Sequence, residues 1–175
     1  EHMERLYASL RATRIDPAMS MDEMEKDTLE LVEKNLEIQG EDINIHQNVT
    51  RGIWWYFREE GKTYRPSTVV IDCCLIRLNQ FVRLYEEGVH LITPSIRQIP
   101  PQCLDMKMKH RSRMHFALAD LEVKALDPEA SCLLLDLDGN LAETWGSNFW
   151  VIKNDVLITP KTKNILEGVS TNPVY

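Results

Sequence analysis

The stretch LDMKMKHRSRMHFALADLEVKALDPEASCLLLDLDGNLAETWGSNF, residues 104–149, decides the fold. It opens with a dense basic run, Lys107, Lys109, His110, Arg111 and Arg113. From about Arg113 a helix fits, with Met114, Ala117, Leu118, Leu121 and Ala125 on one face. It should end before Asp127-Pro128, because proline disfavours helical geometry in the residue before it. Residues 132–137 then read as a strand, Asp138-Gly139 as a type I′ turn and residues 141–144 as the returning strand. One helix followed by tightly spaced strands indicates a mixed architecture.

Working outward, two more short strands follow at 149–152 and 156–159, split by Lys153-Asn154-Asp155. Towards the N-terminus, residues 89–96 read as a strand, and Pro100-Pro101 ends the next segment. Residues 68–76 are mostly apolar and β-branched, the pattern of a strand covered on both faces. In residues 43–49, Ile43, Ile45, Gln47 and Val49 alternate with polar positions, as in a half-buried strand. Between these two strands, residues 51–66 hold the aromatic run Trp54-Trp55-Tyr56-Phe57 with Arg58, Lys62 and Arg65. Aromatics packed on a hairpin sheet and a loop that touches substrate are both open there. A helix is expected over residues 1–13, interrupted by Asp16-Pro17. A second starts at the capping box Ser20/Glu23, continues to about Ile38 and stops at Gly40. An α/β first part, residues 1–82, therefore joins a strand-rich second part, residues 83–175.

Composition narrows the class. The 175 residues are 43% hydrophobic and 27% charged, enough apolar content for a packed core. Net charge is −7 with both signs interspersed, which argues against a nucleic-acid partner. No apolar run approaches the roughly 20 residues of a membrane span. Cys73, Cys74, Cys103 and Cys132 lack zinc-ligand spacing and read as buried free thiols in a reducing cytoplasm, with no metal site. The chain opens inside a helical pattern, so a segment preceding Glu1 is expected.

Several runs, in order, resemble the class IV (fold-type IV) pyridoxal-phosphate aminotransferases. The run 104–119 is similar to the family segment in which a lysine precedes a helix with an alanine-rich end. Residues 138–148 resemble its D-G-x-V-x-E-x-x-x-S-N pattern. VLITP, 156–160, and ILEGVS, 165–170, are similar to its L-x-T-P and L-x-G-V-S stretches. HMERL, 2–6, resembles H-x-x-R-L, and VTRG, 49–52, is similar to a strand end in D-amino-acid aminotransferases. After Ser170 the string TNPVY, 171–175, departs from the family's usual continuation, as though pieces not contiguous in a longer chain were joined.

The resemblance implies a two-domain D-amino-acid aminotransferase-like fold, α/β (α+β). A smaller N-terminal domain lacking its first strands would precede a larger, incomplete pseudo-barrel domain that binds the cofactor. It implies Lys109, rather than Lys107, as the Schiff-base lysine. Glu143 would contact the pyridine nitrogen, and Asn148 would belong to the cofactor site. Val169, Ser170, Thr171 and Arg5 would hold the phosphate. Apart from the resemblance, Arg58, Lys62 or Arg65 on the aromatic loop is the candidate for a substrate carboxylate. The expected activity is transfer of an amino group from an amino acid or amine to a 2-keto acid, in a cytoplasmic homodimer. D-amino-acid, (R)-amine and branched-chain substrates remain open, with VTRG leaning to the first two. Pyruvate elimination of the aminodeoxychorismate lyase kind is an alternative, and a non-catalytic fragment is another.

Overall fold

The computed structural model describes residues 1–39 and 42–174. They fall into two compact units, Glu1–Arg83 and the remainder from Leu84.

In the first unit, α1 spans His2–Thr13 and α2 spans Met21–Gln39. α1 ends at Arg14, whose left-handed backbone (φ 53°) lets its amide reach back to the Arg11 carbonyl. The Arg51 guanidinium covers the same end, donating to the carbonyls of Thr13 at 2.5 Å and Arg14 at 3.4 Å. Arg51, at the strand end singled out in the sequence, thus clamps a helix terminus. The capping box forms as read. Glu23 Oε2 accepts from the Ser20 amide at 2.7 Å, and Ser20 Oγ accepts from the Glu23 amide at 3.2 Å. The proposed stop at Gly40 lies outside the described residues.

β1, Ile43–Thr50, pairs antiparallel with β2, Thr68–Leu75, in register from Ile43↔Leu75 to Thr50↔Thr68. β2 is not covered on both faces. Val69, Ile71 and Cys73 are half-buried, while Thr68, Val70, Asp72 and Cys74 are exposed. A two-stranded sheet with α2 against it has one packed face, and the β-branched run hid that alternation. Gly52, at φ +73°, closes the base of the loop, where a Cβ would stand 3.2 Å from the Arg65 carbonyl oxygen. The aromatic run does not pack on the sheet. Trp55–Phe57 form a 3-10 turn, and Trp54, Trp55, Tyr56 and Phe57 are all more than 60% exposed, with ring contacts between Trp54 and Phe57, Trp55 and Tyr56, and Tyr56 and Phe57.

A short α3, Val82–Glu87, leads into the second unit. There the strand expected over residues 89–96 shrinks to β3, Leu91–Ile92, before Thr93-Pro94. β3 runs parallel to β4, Ser131–Leu135, and β4 pairs antiparallel with β5, Leu141–Thr144. β6, Val151–Lys153, and β7, Val156–Ile158, form a separate hairpin. The type I′ geometry belongs to this hairpin. Asn154 and Asp155 both have positive φ, whereas in the β4–β5 loop only Gly139 does. That loop is instead built on Asp136, whose Oδ1 accepts from the amides of Asp138 and Asn140.

α4 spans Met114–Leu126, as its sequence boundaries indicate, but a different face is buried. Phe116, Ala119 and Val123 pack with Ala130, Cys132, Leu134, Ala142 and Ile165 into the core. Met114, Leu118 and Leu121 are 70%, 49% and 68% exposed. The helix is apolar on two sides, so periodicity alone selects neither. The thiols also differ from expectation: Cys132 is buried, but Cys74 and Cys103 are exposed. Among the described residues, no helix is long and apolar enough to cross a membrane. The choice of face is testable by denaturant unfolding. Phe116→Ala should cost about 3–5 kcal/mol, and Leu121→Ala should stay within about 0.5 kcal/mol; the reverse order would contradict the packing.

Candidate active site

Glu143 is the centre of the second unit's polar chemistry, and an irregularity in the sheet delivers it. Leu133 pairs with Thr144 and Leu135 with Leu141, so β5 carries one residue more than β4 across the same span. Ala142 and Glu143 therefore both lie opposite Leu134, a β-bulge that breaks the in–out alternation. Ala142 is 0% and Glu143 5% exposed. Without the bulge, one of these neighbours would face away from the packed side.

The buried carboxyl is tied on both oxygens. Oε1 accepts from Gln98 Nε2 at 2.9 Å, and Oε2 accepts from the Leu166 amide at 3.2 Å. Burial pushes its pKa up. The Leu166 amide, the Gln98 amide and the charges of Arg113 and Lys109 pull it back without cancelling the rise. Gln98 itself is 2% exposed. Its amide also donates to the Asn164 carbonyl at 3.1 Å, and its oxygen faces His115 Nε2 at 3.0 Å. Gln98 reaches this point because residues 97–98 continue alongside β4, with the Gln98 amide donating to the Leu135 carbonyl.

Lys109 is exposed on the loop before α4, a loop anchored by buried Met106. It is the lysine whose charge acts on Glu143 and on His110. Arg113 is half-buried, with its guanidinium 4.5 Å from the centre of the Phe116 ring and donating to the Trp145 carbonyl. Burial, then Arg113, lowers the pKa of both His110 and His115. Two members of the basic run, Arg113 and Lys109, thus act on the buried carboxyl.

Asn148 returns beside Glu143 through the tight turn Thr144–Ser147. Its amide donates to the Leu166 carbonyl at 2.8 Å. A Cβ on Gly168 would stand 2.2 Å from Asn148 Oδ1, so only glycine fits there with Asn148 in this position. A 3-10 turn starts at Val169, with Thr171 donating from Oγ1 and its amide to the Gly168 carbonyl. Beside it lies a cavity of about 120 Å³ lined by Asn148, Thr159, Thr162, Ile165, Glu167, Gly168 and Thr171.

Within the second unit, the structure thus joins Glu143, Asn148 and the Gly168–Thr171 turn in one hydrogen-bonded region, with the charge of Lys109 acting on Glu143. Arg5, Arg58 and Arg65 belong to the first unit. Burial lowers the pKa of half-buried Arg5, while Arg58 is exposed and donates to the Ile53 carbonyl at 3.2 Å; Arg65 is exposed. Sequence reasoning missed Gln98 and His115. Gln98 sits in a plain S-I-R-Q-I-P-P run, and nothing local marks it as buried.

Comparison with known proteins bears on this arrangement. The family model for amino-transferase class IV matches residues 1–174. A putative branched-chain-amino-acid aminotransferase of Methanocaldococcus jannaschii is 30% identical over 99% of this chain and 58% of its own length. Branched-chain-amino-acid aminotransferase-like protein 1 of Arabidopsis thaliana is 27% identical over 97% of this chain and 30% of its own. The branched-chain amino acid aminotransferase of Thermobaculum terrenum, solved in its PLP form, superposes with TM-score 0.78 at 25% identity, covering 99% of this chain and 54% of that one. The Thermoproteus uzoniensis enzyme, solved with norvaline, gives 0.82 at 24%, covering 99% and 56%, and shares the fold. The chain spans about half the length of most of these relatives. With a matching family model across nearly all its residues and the same fold-type IV architecture, the chain belongs to the class IV aminotransferase family.

Proposed function

We propose that this chain carries the lysine, the ring-nitrogen carboxylate and the phosphate turn of a pyridoxal-phosphate aminotransferase. The activity is transfer of an amino group to a 2-keto acid. The observation that carries this reading is Glu143: a carboxyl 5% exposed, held by Gln98 and Leu166, within reach of the charge of Lys109. The donor set fits the cofactor. A carboxylate has about four acceptor sites, so Glu143 keeps room for one more donor after Gln98 and Leu166.

Pyridoxal phosphate, when bound, supplies a protonated ring that takes up the electron pair left at the substrate's α-carbon. Glu143 keeps the proton on the ring nitrogen, since a negative neighbour favours the charged ring. Lys109 Nζ takes and returns the α-proton, because as a free amine it is a base of adjustable strength. Val169, Ser170 and Thr171 donate to the phosphate, and Asn148 fixes the segment that leads into them. Arg58, Lys62 or Arg65, exposed on the aromatic loop, is the candidate partner of a substrate carboxylate, and Arg5 as the phosphate's cation rests on the family resemblance. So do the division of labour between a first domain and a cofactor-binding second one, and a homodimer. The four free thiols suit a reducing cytoplasm.

The relatives' names favour a branched-chain amino acid as donor, over the lean toward D-amino acids and (R)-amines at residues 49–52, and over pyruvate elimination. Borohydride reduction of the chain with pyridoxal phosphate should fix the cofactor to the peptide that contains Lys109. Lys109→Ala should abolish that labelling and lower amino transfer by about 10²–10⁴-fold or more; labelling elsewhere would contradict the assignment. The raised pKa of Glu143 gives a second test. The folded state holds that proton more tightly than the unfolded chain, so stability falls as pH rises from about 4.3 toward the folded value. The stability of Glu143→Gln relative to the native chain should therefore grow with pH through that window and level off above it. A difference that stays flat or shrinks would remove the buried-carboxyl account.

A further inference from the structure

Gln98 is the most completely buried of the long polar side chains in the core, and its geometry fixes more than its own place. Its Nε2 lies 2.9 Å from Glu143 Oε1 and 3.1 Å from the Asn164 carbonyl oxygen, both acceptors. A flipped amide would set its oxygen against a carbonyl and a carboxylate, so the nitrogen assignment follows from the partners. The Gln98 oxygen must then accept, and His115 Nε2, 3.0 Å away, is its donor. His115 is thereby the Nε2–H tautomer. Its buried Nδ1 has no hydrogen-bond partner, and a second proton there would place charge beside Arg113 and His110. The imidazole stays neutral, and the row His115–Gln98–Glu143 has one direction of donation.

We propose that Gln98 is a positioning residue, clamped by His115 and Asn164 so as to hold the Glu143 carboxylate in place for contact with a protonated ring nitrogen. This rests on the function proposed above. Three elements meet in the clamp: the segment beside β4, the start of α4 and the turn at Asn164. Glu143 has Gln98 and the Leu166 amide as direct donors, and the charges that act on it are Arg113 and Lys109. Of these, Gln98 is the one uncharged side chain, so its removal changes the carboxyl's hydrogen bonding without changing the net charge nearby. Because burial already favours the protonated acid, losing one donor should move Glu143 further in that direction.

The test uses the chain and four variants: Gln98→Met, His115→Phe, Glu143→Gln, and Gln98→Met combined with Glu143→Gln. Gln98→Met keeps the length and approximate volume but has no amide. In carboxyl-labelled chain without cofactor, the Glu143 titration midpoint should move to higher pH in Gln98→Met. His115→Phe, which removes the clamp but leaves the Gln98 amide, should give a smaller shift in the same direction and keeps the test usable if the first variant does not fold. Pyridoxal phosphate should bind Gln98→Met about 10-fold more weakly or worse. In a Glu143→Gln background, the same Gln98→Met change should alter affinity by less than about two-fold, since contacts in one network are not additive. An unmoved Glu143 midpoint in either variant overturns the assignment to Gln98, as does an undiminished affinity loss in the Glu143→Gln background. A native chain that takes up no pyridoxal phosphate overturns the functional proposal instead, and the cofactor-free titration tells the two failures apart.

Discussion

A carboxylate buried inside a small sheet is the constraint on which the second unit depends. Withdrawing an ion from water carries a penalty on the order of several kcal/mol even after relaxation, and Glu143 is 5% exposed. The surroundings offset this by supplying donors from three directions: the Gln98 amide, the Leu166 backbone and the field of Arg113 and Lys109. Each donor ties a separate piece of chain to β5. Gln98 brings the segment before the Pro100-Pro101 corner, and Leu166 brings the stretch that leads into Gly168. The same bonds that make the ion tolerable therefore order the site, and packing and function share their residues.

The bulge in β5 is the local device behind this. Ala142 seals the core with Leu134 and Phe116, and the next residue, Glu143, still points to the buried side. Asn148 then returns alongside and holds Leu166, so close to Gly168 that any side chain there would collide. Residues spread over 98–171 converge on one point, although few of them neighbour one another in sequence. Lys109 stands differently: it is exposed on the loop before α4, where buried Met106 lies three residues away and its charge acts on the buried carboxyl.

Much of this was legible from sequence where the signal is local. The Ser20/Glu23 box and the ends of α4 depend on residues a few positions apart, and they form as read, whereas the type I′ turn read at Asp138-Gly139 is found at Asn154-Asp155 instead. The family motifs marked Glu143, Asn148 and the 168–171 turn, and these come together. What failed depends on partners distant in the chain. Both sides of α4 are apolar, so only the position of β4 decides that Phe116, Ala119 and Val123 face inward. The β-branched run of β2 looked doubly covered because pattern cannot count sheets. A bulge changes the facing of one residue with no compositional mark, which left Glu143 readable as an exposed hairpin residue. Gln98 had no signal at all, because its burial comes from Asn164 and His115, 66 and 17 residues away.

Contact between Glu143 and a protonated ring nitrogen is the proposal on which the functional reading turns. The most direct measurement is the ¹⁵N chemical shift of ring-labelled pyridoxal phosphate bound to the chain at neutral pH. With Glu143 on the ring nitrogen, the native chain gives a protonated pyridinium shift and Glu143→Gln a shift toward neutral pyridine. A neutral ring nitrogen in the native chain, or a protonated one that ignores the substitution, would contradict it.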